Sequence, residues 1–347
     1  MGDGRIVHIG CYTPASSGGR GEGIVAARRD PETGRLELRG VVATTPSPSF
    51  LIRHPTLPVL YATNEVRDGR VSAWAVGDDG ALAPLGEVST GGADPCHAAV
   101  LPGEGYLVAA NYTGGSLAVH PLDPASGAVL ERTELIGHHG CGIDPERQEG
   151  PHPHMISPDP SGDSLLAVDL GTDAVYRYTL DAAAGRLVPD GGPAWRRAGA
   201  GPRHLARHPD GKRCYVVGEL DATVTACEIG EDGALREVGA VPTTTHRGHV
   251  QPSEIAVRAD GRFLYVANRG PDTIAVFSVD DPLPRYVGEV STGGRWPRHF
   301  AIIDDYLYVA NERSHSVGIF RLHPENGLPI SLGDLVDTPS PTCIAPE

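Results

Sequence analysis

The feature that most constrains this chain is a short apolar strand that recurs along it, each copy ending in a small or polar residue. YATN at 61–64, VAAN at 108–111, LAVD at 166–169, YVVG at 215–218 and YVAN at both 265–268 and 308–311 are six copies, and VHIG at 7–10 fits the same slot. The end residues stand 43 to 58 residues apart. Pro48, Pro95, Pro153, Pro202 and Pro252 each precede their strand end by 16 residues, and Pro297 by 14. Between proline and strand end lie apolar residues and then a turn such as HPDGK or RADGR, the pattern of an antiparallel hairpin. A third alternating stretch, such as DAVYRY at 173–178, and often a further turn and strand complete four strands in about 45 residues, the period of a propeller blade. The abundance of Gly (45) and Pro (31) suits many short strands joined by tight turns.

The chain ends define how the ring closes. SPTCIA at 340–345 has the first-strand signature with no hairpin partner after it, while Gly10 ends a second strand with no first strand before it. Joining them completes a seventh hairpin and leaves no open sheet edge. The expectation is an all-β, seven-bladed β-propeller, a single domain over residues 1–347, in which the C-terminal strand joins the N-terminal blade.

The same pairing locates a site. The residue after each proline and the residue after each strand end share one rim of the ring. The first set is Ser49, Cys96, His154, Arg203, Ser253, Arg298 and Thr342, and the second is Cys11, Glu65, Tyr112, Leu170, Glu219, Arg269 and Glu312. Positions serving only the architecture should repeat, and these do not. One position further on, Phe50, His97, Met155, His204, Glu254, His299 and Cys343 include three histidines, a recurrence that points to packing, above all for His97 and His299.

A net charge of −15 argues against nucleic-acid or anionic-membrane partners and leaves an anionic small molecule open, because a local cluster of Arg and His can reverse the field in a cleft. No basic and apolar leader or membrane-spanning run is evident, and the six cysteines (11, 96, 141, 214, 227, 343) show no metal-binding spacing, so a cytoplasmic protein with reduced thiols is expected. The densest polar stretch, His138 to His154, is a long insertion suited to binding or to a lid. Its histidines lack the paired spacing of a catalytic zinc site, and neither metal nor cofactor is expected.

At GCYT (10–13), ERQEGPHPH (146–154), GPRH (201–204), VGEL (217–220), VANR (266–269) and SPTC (340–343), the chain resembles the seven-bladed propeller lactonase family, which includes bacterial 6-phosphogluconolactonases and fungal carboxy-muconate cycloisomerases. The resemblance implies catalytic roles for His154, Arg203, Glu219 and Arg269. Arg147, His152, His204 and Arg298 are expected to contact the substrate, with Arg147 and Arg298 holding a phosphate. The implied activity is hydrolysis of a sugar-acid lactone, 6-phosphogluconolactone first. A cycloisomerase using the same four residues and a non-catalytic binding propeller are the alternatives.

Overall fold

Each repeat forms an antiparallel sheet in the computed structural model, which describes residues 5–15, 18–160, 162 and 164–346. Six sheets have four strands and one has five, giving seven blades. The second strands are the most apolar and the most deeply buried; Val59–Asn64, Phe263–Arg269 and Tyr306–Asn311 are buried at every position. Their tyrosines tie blade to blade. The hydroxyls of Tyr61, Tyr265 and Tyr308 donate to the carbonyls of Gly127, Gly327 and Gly34 in the outer turn of the next blade, at 2.6, 2.8 and 2.7 Å. These three glycines have φ near 71°, and a Cβ on Gly34 would lie 2.3 Å from the Tyr306 ring, so both conformation and space require glycine there.

The innermost strands are those that begin at the prolines: Pro48–Arg53, Pro95–Val100, Pro153–Pro158, Pro202–Arg207, Gln251–Val257, Pro297–Ile303 and Pro341–Ala345. Each packs against its two neighbours in sequence, and the last packs against the first, so they enclose the channel. The closing strand Pro341–Ala345 pairs antiparallel with Arg5–Cys11, as expected from the chain ends. Among the described residues no helix is long and apolar enough to cross a membrane. All six cysteines are free, and only Cys141 is exposed.

The register corrects one assignment. In six blades the proline pairs with the strand-end residue, as Pro48 does with Asn64 and Pro297 with Asn311. In the closing blade Pro341 pairs with Cys11, whereas Gly10 faces Cys343. Cys11 therefore ends the strand and is buried in the apolar core, and Tyr12 takes the rim position given above to Cys11. The bulge here falls where it falls in every other blade, directly after the proline, so Cys11 and not the small Gly10 is the counterpart of the other strand ends. Such a bulge adds a residue to one strand and re-aims the side chains beside it.

Candidate active site

The rim surrounds a cavity of about 540 Å³ to which all seven blades contribute. Five arginines line it (Arg20, Arg147, Arg269, Arg298 and Arg313) against three glutamates (Glu65, Glu219 and Glu312). The cavity is thus cationic within a chain of net charge −15. A concave site with converging polar groups and displaced titrations is where ligand chemistry is expected.

Glu219 is its centre. One carboxylate oxygen accepts from Arg147 at 2.5 Å and the other from Arg269 at 2.7 Å. Nε of Arg203 lies 3.3 Å from that second oxygen without hydrogen-bond alignment. Burial alone would raise the Glu219 carboxyl, but Arg269, Arg203 and Arg147 together hold it at about 2. It is therefore an anion at neutral pH, fixed among three cations. Backbone carbonyls complete the frame: Arg269 donates to Gln251 and Pro252, and Arg203 donates to Ser253 at 2.7 Å.

Arg147 arrives from the long insertion. Gln148 anchors that loop by donating to the Leu170 carbonyl and to Asp173, and its own carbonyl accepts from the Gly142 amide. The insertion's histidines disperse to separate partners. His138 pairs with Asp169 at 2.6 Å, and His152 sits between the Tyr112 carbonyl and Glu149. Among the described residues no group of His, Cys, Asp and Glu is placed to hold a metal ion.

His154 lines the cavity from the fourth blade, its ring edge-on to Tyr112 and to His204 at 5.5 and 5.1 Å between centroids. Burial, then the charges of Arg203, His204 and Arg298, hold its imidazole well below the usual histidine range. It is therefore neutral, and its Nδ1 has no hydrogen-bond partner among the described residues. Across the cavity Arg298 approaches Glu65 at 3.4 Å and lies 4.9 Å above the Tyr12 ring. The Tyr12 hydroxyl donates to Glu65 at 2.6 Å.

Of the eight residues expected to act here, His154, Glu219, Arg269, Arg147 and Arg298 line the cavity. Arg203 and His204 lie beneath its floor and border a void of only about 10 Å³. His152 stacks behind Tyr112, 4.5 Å between ring centroids, and sets that wall rather than facing the cavity. Other rim positions serve the ring: Cys96 and Ser253 direct their side chains to the Pro153 and Pro297 carbonyls of the next inner strand. The residues missed by sequence reasoning are Tyr12, Arg20, Trp296, Arg313 and His315. A proline-to-strand-end alignment one residue later would have found Tyr12. Trp296 stands directly before Pro297, one position ahead of the residues read after the prolines, and Arg20, Arg313 and His315 lie in loops outside the positions read.

Comparisons with known proteins agree along the whole chain. The family described as "Lactonase, 7-bladed beta-propeller" matches residues 6–346. A 6-phosphogluconolactonase of Bacillus subtilis is 34% identical, with 98% of this chain and 97% of that protein covered. A candidate 6-phosphogluconolactonase from Bacteroides fragilis superposes with a TM-score of 0.91 at 32% identity, covering 99% of this chain and 98% of that one. A periplasmic gluconolactonase of Pseudomonas aeruginosa superposes with a TM-score of 0.90 at 29% identity, over 99% of this chain and 98% of its own.

Proposed function

The chain belongs to the seven-bladed β-propeller lactonase family, and on that premise we propose that it hydrolyses a sugar-acid lactone, 6-phosphogluconolactone to 6-phosphogluconate. The observation that carries this reading is the pairing of a neutral imidazole, His154, with a cationic cluster arranged around Glu219 in one cavity. Lactone hydrolysis needs both: a group to take a proton from water and cations where the carbonyl oxygen gains charge.

In this mechanism water attacks the lactone carbonyl and His154 accepts its proton. Arg269 and Arg147, oriented by Glu219, donate to the oxyanion of the tetrahedral intermediate. Collapse breaks the ring C–O bond, and the proton passes from His154 to the departing alkoxide. The product is a hydroxy acid, which ionises and releases one proton to solvent. Glu219 is a positioning residue here, since a carboxyl held at about 2 stays ionised throughout. Arg203 supports it from below. The charges of Arg203 and Arg298 oppose the imidazolium that forms, and the negative charge of an anionic substrate in the same cavity relieves part of that penalty. Substrate charge and base strength are thereby linked.

The test is base consumption at constant pH on a panel of phosphorylated and unphosphorylated lactones. We expect turnover far above spontaneous opening for at least one sugar-acid lactone. Rates equal to the spontaneous ones across the panel, with loss of ultraviolet absorbance from a carboxy-muconate, would move the assignment to cycloisomerisation.

A further inference from the structure

The arginines of the cavity differ in how their charge is used. Arg147 and Arg269, with Arg203 below them, are committed to Glu219. Arg298 faces Glu65 and also feels Glu312. Arg20 and Arg313 remain; both are exposed on the cavity wall, and neither has an ion-pair partner among the described residues. Sequence reasoning assigned a phosphate to Arg147 and Arg298, whose charge is already partnered.

The two unpaired arginines are held by a shared frame. The Arg20 amide donates to the Ser340 hydroxyl at 3.0 Å, and the Ser340 amide donates to Nδ1 of His315 at 3.1 Å. Ser340 therefore stitches the closing blade's loop, which carries Arg20, to the seventh blade's loop, which carries Arg313. The Arg313 guanidinium lies 3.4 Å from the centroid of the Trp296 ring, and Arg269 lies over the same indole at 5.3 Å. Trp296 thus spaces the free cation from the one bonded to Glu219.

Its backbone is strained to do so. The residue before the inner-strand proline adopts positive φ in five blades, and four of those positions hold Ser47, Asp94, Gly201 and Ser340. Trp296, with φ of 64°, is the one bulky occupant of the five. A large side chain in the left-handed region is strained and persists only where its surroundings hold it there. Small residues satisfy the turn elsewhere, so the indole is there for what it holds.

We propose that Arg20 and Arg313 form a subsite for a phosphate monoester, placed beside the reacting centre, and that it selects phosphorylated over unphosphorylated lactones. The inference rests on the lactonase reading for its substrate. In that substrate the phosphate is at the opposite end of the sugar from the lactone carbonyl, which matches a cavity with one cation cluster built around Glu219 and a second left unneutralised. A dianion meets two guanidiniums through charge-assisted hydrogen bonds.

The experiment compares wild type with Arg20→Ala, Arg313→Ala and the double variant on 6-phosphogluconolactone and gluconolactone. The expected result is a fall of about tenfold or more per arginine in the ratio of kcat/KM values, phosphorylated over unphosphorylated, expressed mainly in KM. Arg313→Lys should recover part of it. A ratio unchanged within about twofold in the double variant overturns the subsite. Calorimetric binding of 6-phosphogluconate and gluconate separates the two failures. A wild type that turns over no lactone yet prefers the phosphorylated acid through these arginines sinks the lactonase reading alone. One that hydrolyses both lactones equally well sinks the subsite alone.

Discussion

Two layers of side chains fill the channel one residue apart in sequence, and their chemistry is opposite. The upper layer contains His154, Arg203 and Arg298, and with Glu65, Glu219 and Arg269 it is a lattice of paired charges. The lower layer contains Phe50, His97, His204, Glu254 and His299, packed as rings. Phe50 stacks on His97 at 4.0 Å and meets His204 and His299 edge-on at 6.5 and 5.9 Å. Burial, with help from nearby arginines, Arg203 above all, holds His97 and His204 well below the usual histidine range and His299 at about 4, and neighbouring histidines add to this for His97 and His299. Burial likewise raises the Glu254 carboxyl, which lies 3.1 Å from His204 and 3.6 Å from His299. The histidines of the lower layer are thus uncharged and its one carboxyl is pushed toward its neutral form, whereas the upper layer keeps its charge because its carboxylates have guanidiniums beside them. Depth alone does not decide ionisation; the partners within reach do.

The contrast breaks most sharply at Glu219. Glu219→Gln leaves Arg147, Arg203 and Arg269 without their shared counter-charge. We expect a loss of at least about a hundredfold in lactone turnover, with destabilisation of about 3–5 kcal/mol, because removing one partner of a buried ion cluster strands the rest. Thermal unfolding alongside rate measurements checks this, and a variant melting within a degree of wild type would show that the cluster is not held by its carboxylate.

His154 belongs to the upper layer by position but is uncharged like the lower. His154→Asn should reduce kcat by about 10²–10⁴, the usual range for a lost general base, while the melting temperature stays close to wild type. Equal damage to stability and rate would give His154 a packing role instead.

The smallest effect separates the layers by pH. A histidine held at about 4 in the fold titrates near 6.5 when unfolded, so between those values the unfolded chain binds more protons. The stability that His299 contributes is therefore present above about pH 6.5 and lost as pH falls toward 4. Glu219, lowered from 4.5 to about 2, contributes stability above about pH 4.5 that is lost as pH falls toward 2. Denaturant unfolding of His299→Gln should lose part of the slope between pH 6.5 and 4 while keeping the loss below 4.5. His8, also held at about 4 but on the second strand of the adjacent closing blade, keeps its own share of the first window in both proteins. An unchanged upper slope would mean that His299 takes up protons equally in the folded and unfolded chain.

Much of this was legible in the sequence. The spacing of the prolines and strand ends gave the blades and the closure, because a hairpin's register is a local property of turn length. The rim followed from that register and brought forward His154, Glu219 and Arg269. What failed was geometry that register does not carry. Taking the small Gly10 as the strand end, where Cys11 pairs with Pro341, displaced the reading by one residue and concealed Tyr12. Arg203 and His204 lie below the floor because Arg203 turns to the Ser253 carbonyl and His204 packs against Phe50 and His97, contacts that register does not carry. Trp296 holds the repeating position before an inner-strand proline, but Arg20 and Arg313 come from loops of different blades, and only the folded ring brings the three together.

The strand Pro341–Ala345 has a consequence for the order in which the chain is made. It is synthesised after every other blade, at roughly 5–20 residues per second, so Arg5–Cys11 waits roughly tens of seconds for its inner partner. Throughout that interval a strand carrying Val7 and Ile9 presents one open edge, a template on which another nascent chain can pair. The same event that covers the edge sets Ser340 against Arg20 and completes the wall of the cavity. Catalytic competence and protection from misassembly therefore arrive together, so a working enzyme reports a finished ring.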